Sequence, residues 1–386
     1  SMESDNKLFL LDAYALIYRA YYAFIKNPRI NSKGFNTSAI LGFVNTLEEV
    51  LKKENPSHIG VAFDPSGPTF RHEAFEQYKA QREETPEAIR LSVPIIKDII
   101  HAYRIPILEV AGYEADDVIG TLATEAGRQG ITTYMMTPDK DYGQLVTDNV
   151  FMYRPKHTGG FEVMGIEEVK AKFDIQSPAQ VIDMLGLMGD ASDNIPGCPG
   201  VGEKTAQKLI AEFGSIENLL EHTDQLKGAL KTKVETNKEL ITFSKFLATI
   251  KIDVPIQLEM DKLVREQADE DSLRQIFEEL EFRTLIDRVL KKENSAGGVT
   301  MATGSKTATA KSAPSPLPLF PEEGGAIQGD LFANFTGNEA GEAKKSNLET
   351  LETLNCDYQL IDTEKKRAEI IQKLLTSKIL SLDTET

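Results

Sequence analysis

The sequence predicts an α/β fold in which a mostly parallel central sheet carries helices on both faces. Short apolar runs alternate with segments of helical periodicity through the first 150 or so residues, and this alternation is typical of parallel sheets. Four of the apolar runs end in Asp or Glu, or are followed by one within a few residues; they lie at 7–12, 58–64, 105–110 and 131–136. After a predicted hairpin around 158–160 the pattern turns helical, which predicts a second, helical subdomain.

Acidic side chains gather at the carboxyl ends of the predicted strands. In open α/β sheets these ends meet at one edge, where ligands bind. The densest group is Glu114, Asp116 and Asp117, and three carboxylates this close stay ionised together only beside strong positive charge. Capping of the helix that follows explains one of the three, but not all of them. The full set of candidate ligands is Asp12, Asp64, Glu114, Asp116, Asp117, Asp139, Asp141, Asp190 and Asp193.

The candidate ligands are all oxygen donors, with no His or Cys among them. Such a set suits Mg²⁺ or Mn²⁺ rather than zinc. Two such ions, about 3.5 to 4 Å apart, activate water and stabilise the leaving oxygen of a phosphodiester. Each acid alone has a simpler interpretation as a cap, a turn former or a surface charge. Because several strand ends converge on one edge, we predict two or more divalent ions and phosphodiester hydrolysis.

The segment at about 68–104 is predicted to be a mobile helical excursion beyond the sheet edge. On a helix, Lys79 and Arg82 would share one face, because they are three positions apart, and both would reach a phosphate. The opposing interpretation is an ordinary solvated face, since the window 71–104 holds as many acids as bases.

A glycine-rich stretch at 197–206 opens a predicted helix. Glycines let backbone N–H groups approach an anion, and the helix N-terminus adds its positive end. A nucleotide-binding P-loop needs Gly directly before the Lys, where Glu203 stands. We therefore predict a hairpin between two helices that clamps a nucleic-acid backbone. Its candidate contacts are Gly197, Gly200, Gly202, Lys204 and Thr205.

The net charge of −17 argues at first against a nucleic-acid partner, because phosphate binders are commonly basic. The argument is weak, since carboxylates that hold metals are neutralised in the working protein. The two cysteines lack metal-ligand spacing, which predicts reduced thiols in a cytosolic setting. No apolar run is long enough to cross a bilayer, and no signal-peptide pattern is present. We expect a cytoplasmic, nucleoid-associated protein with no membrane partner.

Composition divides the chain into four parts. An α/β core at 1–180 and a helical subdomain at 181–290 are followed by residues 291–350, whose richness in Gly, Ala, Ser, Thr and Pro predicts a flexible linker. Residues 351–386 are predicted to form strand, helix and strand. Because the last strand would be buried in an incomplete domain, we expect a fragment cut just inside a further domain.

Residues 5 to about 290 resemble the 5' nuclease, or flap endonuclease, family of bacterial DNA polymerase I domains. The order and number of the shared motifs are more specific than any single one. They are Leu11-Asp12-Ala13, Phe63-Asp64, Phe70-Arg71, Tyr78 to Arg82, Tyr113 to Asp117, Pro138 to Asp141, Gly189 to Pro196 and Gly197 to Ala206. The resemblance implies a PIN-like nuclease core, a helical arch at about 68–104 and a helix-hairpin-helix subdomain. Residues 354–386 are similar to the start of a 3'-5' exonuclease domain, with Asp383 and Glu385 in its first motif, and we expect no proofreading from so short a piece.

The resemblance also implies an activity: cutting 5' flaps and removing RNA primers in Okazaki fragment processing and DNA repair. The implied first metal cluster is Asp12, Asp64, Glu114, Asp116 and Asp117, and the second is Asp139, Asp141, Asp190 and Asp193. The residues implied in catalysis are Lys79, Arg82, Asp116 and Asp117. The implied DNA contacts ahead of the hairpin are Arg71, Tyr78, Lys79 and Arg82, with Tyr78 available to stack on an unpaired base. The hairpin would hold the duplex backbone, where the family allows a K⁺ ion.

The implied partners are branched DNA and RNA-DNA hybrids with 5' flaps, bound by a monomer. A peptide in the linker resembles the one by which bacterial replication proteins dock on the sliding clamp, which predicts that partner too; its key residues are Gln328, Asp330, Leu331 and Phe332. Two other functions remain open. One is a non-catalytic module that binds branched DNA, in which the acids hold structural cations. The other is a PIN-type ribonuclease, which the long hairpin and the helical extension disfavour.

Overall fold

The structure is a computed structural model that describes residues 6–156 and 158–290. The predicted linker, the predicted start of a further domain and the clamp-like peptide at 328–332 lie outside the described residues.

A six-stranded sheet forms the centre of the described part of the chain. Its strands are β1 Lys7–Asp12, β2 His58–Ala62, β3 Ile107–Leu108, β4 Thr132–Met136, β5 Val150–Pro155 and β6 Phe161–Met164. They lie in the order β3-β2-β1-β4-β5-β6. Every neighbouring pair is parallel except β5 and β6, which form the predicted antiparallel hairpin. The mostly parallel sheet is confirmed, although the strand predicted at 105–110 shortens to two residues.

Helices cover both faces of this sheet. Those of the first half are α1 Ala13–Ala23, α2 Ser38–Lys53, α3 Phe70–Ala74, α4 Glu87–Ala102, α5 Ala115–Arg128, α6 Ile166–Phe173 and α7 Val181–Met188. Those of the second half are α8 Glu203–Phe213, α9 Ile216–Glu221, α10 Gly228–Thr236, α11 Lys238–Ala248, α12 Met260–Leu263, α13 Glu270–Glu279 and α14 Arg283–Leu290. Within the described ranges, no helix is both long and apolar enough to span a membrane.

Successive side chains of β1 point into two separate cores, as the two-residue period of a strand requires. Leu8 and Leu10 belong to a core shared with α5, α7 and α8. Phe9 and Leu11 belong to a second core, shared with α1, α2 and α4. All four side chains are fully buried. A strand buried on both faces explains the continuous apolar run that ends at Asp12.

The last two helices of the described range, α13 and α14, pack against the second of these cores. Leu273 and Phe277 of α13 and Leu285 of α14 are buried there with residues of α2 and α4. The backbone N–H of Asp269 donates to the carbonyl of Ala102 over 2.7 Å. Residues 270–290, placed by sequence in the helical subdomain, therefore pack with the second core of the sheet.

Candidate metal centre

The carboxyl ends of β1 and β2 and the loop that leads into α5 bring acids to one edge of the sheet. Asp12 is the last residue of β1, Asp64 lies two residues beyond β2, and Glu114 caps α5. The N–H of Ala115 donates to Oδ1 of Asp64 over 2.8 Å, which ties the end of β2 to the start of α5. The end of β2 and the start of α5 are thus in hydrogen-bond contact, as the predicted convergence of strand ends requires.

The first acidic cluster consists of Glu114, Asp116 and Asp117, whose ligand oxygens lie within 4.8 Å of one another. Burial raises the pKa of Asp116 well above its usual range, and the charge of Asp117 adds to that rise. Oδ1 of Asp116 is buried without a hydrogen-bond partner among the described residues. A buried acceptor with no donor is costly unless a cation reaches it.

The second acidic cluster consists of Asp141, Asp190 and Asp193, again with ligand oxygens within 4.8 Å of one another. Burial and the charge of Asp139 raise the pKa of Asp141 well above its usual range. Oδ1 of Asp141 is buried without a hydrogen-bond partner among the described residues. Asp139 lies beside this cluster, since its Oδ1 accepts the N–H of Asp141 over 2.9 Å. Each cluster therefore contains one orphaned carboxylate oxygen.

A tight turn holds the acids at 190–193. The N–H groups of Asp190 and Ile195 donate to each other's carbonyls over 3.0 and 2.8 Å, so the turn closes as a small antiparallel bridge. Gly189, which precedes it, has a φ of +73°. A Cβ there would lie 2.6 Å from the carbonyl oxygen of Ile195, so only glycine fits. Asp190 and Asp193 are therefore held by a tight turn and not by a helix.

Asp12 is held by two residues that were not predicted from the sequence. Its Oδ2 accepts the hydroxyl of Tyr142 over 2.9 Å and that of Thr137 over 3.3 Å. Burial, reinforced by the charge of Asp64, raises the pKa of Asp12 to about 7. The sequence places Tyr142 directly after Asp141, but a tyrosine beside an acidic motif does not by itself indicate which acid it contacts.

Lys79 and Arg82 do reach the acids, but not from a helix. They lie in a series of turns between α3 and α4, and Lys79 has a φ of +57°. Nζ of Lys79 is paired with Oε1 of Glu114, and Nη2 of Arg82 donates to Oδ1 of Asp193 over 2.5 Å. The prediction of one shared helical face was wrong. Each cation instead contacts a different acidic cluster.

Arg71 was predicted to contact DNA, and the structure corrects this. Its side chain is 1% exposed, and Nη1 and Nη2 form a bidentate pair with Asp117, with both distances 2.8 Å. Nη1 also donates to Glu114 over 2.6 Å. Nε and Nη2 donate to the carbonyls of Leu247 and Thr249 over 3.0 and 2.7 Å. All of its donors are used inside the protein.

Tyr78 was predicted to stack on an unpaired base, and in this structure it cannot. It is 3% exposed, and its hydroxyl donates to Glu114 over 3.2 Å. The carboxylate that receives it carries a lowered pKa of about 2, because Lys79 and Arg71 together outweigh the opposing effect of burial. Tyr78 thus supports the first acidic cluster instead of presenting a free ring.

The predicted hairpin connects α7 to α8. Gly197 and Gly200 have positive φ values of 63° and 81°, and Gly202 caps α8. Gly200, Gly202 and Lys204 are exposed, whereas Thr205 is half-buried. The helix predicted to open here begins at Glu203. Gly200, Gly202 and the first turn of α8 therefore face solvent, as an anion-binding hairpin requires. Gly197, also predicted as a contact, is buried, and its N–H donates to Oγ of Ser244 over 2.9 Å.

Divalent cations fit both acidic clusters, because each offers converging carboxylates and an orphaned buried oxygen. The candidate holders are Asp12, Asp64, Glu114, Asp116 and Asp117 on one side and Asp139, Asp141, Asp190 and Asp193 on the other. In the structure, Arg71 and the N–H of Lys251 contact the oxygens of Asp117. Arg71 and Lys79 likewise contact those of Glu114.

The metal-free protein is expected to lose stability as the pH rises from about 4 to about 7. Burial raises the pKa of Asp12 from 3.8 to about 7 and that of Asp139 from 3.8 to about 6. A carboxyl whose pKa is raised on folding stabilises the native state below its unfolded pKa and loses that effect as the pH passes its folded pKa. We expect a lower melting temperature in EDTA at pH 8 than at pH 5. Mg²⁺ should reverse the loss at pH 8.

The Asp12→Asn variant provides the control for this experiment. Because it removes one of the raised groups, its melting temperature in EDTA should change less between pH 5 and pH 8. A wild-type protein that is more stable at pH 8 than at pH 5 without metal would contradict the prediction.

Comparison of the sequence with known protein families agrees with this arrangement of the acidic residues. Residues 7–174 match the family described as "5'-3' exonuclease, N-terminal resolvase-like domain". Residues 176–271 match the one described as "5'-3' exonuclease, C-terminal SAM fold". Together the two matches cover more than half of the chain. The chain belongs to the 5'-3' exonuclease family. The predicted resemblance to the 5' nuclease domain of bacterial DNA polymerase I is confirmed.

Curated relatives of this 5'-3' exonuclease are longer proteins. The chain is 43% identical over 291 residues to DNA polymerase I of Bacillus subtilis, covering 75% of the chain and 33% of the relative. It is 40% identical over 287 residues to DNA polymerase I of Bacillus caldotenax, covering 74% of the chain and 32% of the relative. The chain thus spans about one third of the length of these relatives.

Solved structures share the fold of this 5'-3' exonuclease. T5 5'-exonuclease with divalent metal ions (zinc) bound is 22% identical, with a TM-score of 0.55, covering 71% of this chain and 99% of that one. A T5 D15 flap endonuclease in a complex with DNA and metal ions is also 22% identical, with a TM-score of 0.53, covering 72% of this chain and 100% of that one. This likeness confirms the PIN-like α/β core with its helical subdomain.

Proposed function

We propose that this exonuclease cuts DNA and RNA-DNA hybrids next to a 5' flap, with two or more Mg²⁺ or Mn²⁺ ions held by the two acidic clusters. The observation that carries the proposal is the pair of orphaned oxygens, on Asp116 and Asp141, one in each cluster. When bound, such ions would activate water and stabilise the leaving oxygen. The complex of T5 D15 flap endonuclease with DNA and metal ions supports a nucleic-acid substrate.

The protein's own cations would bind and orient the phosphate. Lys79 and Arg82 neutralise Glu114 and Asp193, with side chains that are 18% and 38% exposed. Each of the two cations contacts a different acidic cluster. Divalent ions in the clusters would compete for the same carboxylates and free the lysine and the arginine for the phosphate. Lys79 and Arg82 are therefore proposed as phosphate contacts. Their ion pairs with Glu114 and Asp193 are proposed as the arrangement in the absence of metal and substrate.

The hairpin is proposed as a second contact with the duplex backbone. Its exposed glycines and the first turn of α8 offer backbone N–H groups. A K⁺ ion bound at the hairpin belongs to the same proposal. We still predict a monomer, a cytoplasmic location near the nucleoid, and the sliding clamp as a partner. The clamp stays a prediction because its peptide lies outside the described residues.

Cleavage of a labelled 5'-flap DNA tests the proposal. The wild-type chain should release the flap in Mg²⁺ but not in EDTA, and should also shorten an RNA strand annealed to DNA. An uncut substrate that is nevertheless bound tightly in Mg²⁺ would favour the non-catalytic DNA-binding module. Cleavage of unpaired RNA without any junction would favour the PIN-type ribonuclease.

A further inference from the structure

A band of aromatic side chains lies beside the first acidic cluster and takes no part in the proposed chemistry. Five rings form this aromatic band, in the order Tyr113, Phe70, Phe246, Phe243 and Phe75. Successive ring centroids are 5.7, 6.2, 6.1 and 5.6 Å apart. The rings lie on α3 and α11, directly after α3, or in the loop before α5, so the band is built by tertiary packing.

The middle of the aromatic band opens to solvent. Phe246 is 46% exposed, among the most exposed large apolar side chains of the described residues. Phe243 and Phe246 lie nearly parallel, at 18°, one helical turn apart on α11. They line a surface depression of about 410 Å³ with Lys238, Glu239 and Thr242. Exposed aromatic rings in a depression are typical of a binding surface rather than of a core.

Positive charge accompanies the rings. Nζ of Lys251 lies 5.3 Å from the centre of the Phe70 ring. Lys238 stands on the rim of the depression, where Glu239 is the one acid among the lining residues. Aromatic faces for bases together with lysines for the backbone are what single-stranded nucleic acid requires. A lipid or a purely apolar peptide would not need the lysines.

The aromatic band is continuous with the proposed cleavage site. Phe70 precedes Arg71, which donates to Glu114 over 2.6 Å, and the Arg71 guanidinium carbon lies 4.5 Å from the centre of the Phe70 ring. Phe75 at the other end leads into the turns that carry Lys79 and Arg82. A strand whose phosphate meets those cations therefore has the band within reach of its neighbouring bases.

We infer that the aromatic band is a stacking platform for an unpaired nucleobase of the single-stranded 5' flap, with Phe246 as its most accessible ring. This inference rests on the proposed function, because it takes the flapped strand as the ligand. Stacking is tolerant of sequence, since every base has a π-face. The platform would therefore favour substrates with an unpaired strand without favouring any sequence.

Fluorescence anisotropy with three DNAs tests the platform. All three share one duplex; the first carries a 5' flap of thymidines, the second carries an abasic flap of equal length, and the third is nicked without a flap. In EDTA, Phe246→Ala should bind the thymidine flap about tenfold more weakly than wild type. Binding of the abasic and flapless DNAs should not change. Phe246→Trp should restore the preference, because it restores an aromatic face.

Val163→Ala is the matched control, since Val163 is 45% exposed on β6 and lies outside the aromatic band. It should bind all three DNAs like wild type. An equal loss on all three DNAs in Phe246→Ala, or no loss on the thymidine flap, would overturn the platform. Failure of the nuclease proposal would give a different result. The wild-type protein would then leave the flap uncut in Mg²⁺, whatever the affinities of the variants for the three DNAs.

Discussion

Replacing Asp116 with Asn is expected to abolish cleavage and to stabilise the metal-free protein at the same time. Burial and the charge of Asp117 raise the pKa of Asp116 well above its usual range. The ionised side chain therefore destabilises the native state when no metal is bound. The amide removes the charge while keeping the shape. We expect the melting temperature in EDTA at pH 8 to rise by about 2 to 4 °C, which corresponds to roughly 1 kcal/mol. Flap cleavage in Mg²⁺ should fall by about a thousandfold.

Asp148→Asn is the matched control for Asp116→Asn, because Asp148 is an exposed acid outside both clusters. It should change neither the melting temperature nor the cleavage rate. The decisive comparison adds Mg²⁺, which should raise the melting temperature of wild type more than that of Asp116→Asn. A variant that melts earlier in EDTA, or that still cuts within tenfold of wild type, would show that Asp116 is an ordinary structural acid.

The convergence of the acids could be predicted because it follows from short-range patterns. An apolar run that ends in an acid predicts a buried strand, and parallel strands bring their carboxyl ends to one edge. Asp12 and Asp64 meet for that reason, and the hydrogen bond from the N–H of Ala115 to Asp64 brings Glu114 beside them. The turn at 190–195 could also be predicted, because Gly189 and Asn194 supply its positive φ values.

The destinations of the cations could not be predicted in the same way. Arg71 pairs with carbonyls 176 and 178 positions away, and a local pattern does not specify such partners. Lys79 and Arg82 have helical spacing, but tertiary contacts place them in turns, where the N–H of Lys79 donates to the carbonyl of Asp193 over 3.0 Å. A basic residue near an acidic site has two possible partners, the protein's own carboxylates and the substrate, and its sequence does not distinguish them.

Replacing Arg71 with Met is expected to be the most destabilising single change at the site. Asp117 is fully buried, and Arg71 satisfies both of its oxygens. Removing the guanidinium would leave that carboxylate as an uncompensated buried charge, which costs about 3 to 5 kcal/mol. The carbonyls of Leu247 and Thr249 would also lose their donor, so the C-terminal end of α11 should loosen from the first acidic cluster.

Urea unfolding of four proteins separates the charge from the packing. Arg71→Met should lower the free energy of unfolding by about 3 to 5 kcal/mol. Arg71→Lys should lower it by less, because it keeps the charge but not the bidentate geometry. The double variant Arg71→Met with Asp117→Leu should recover most of the loss, since neither a buried charge nor an orphaned partner remains. A double variant no more stable than Arg71→Met would mean that packing of the arginine stem, and not its pairing with Asp117, holds the site together.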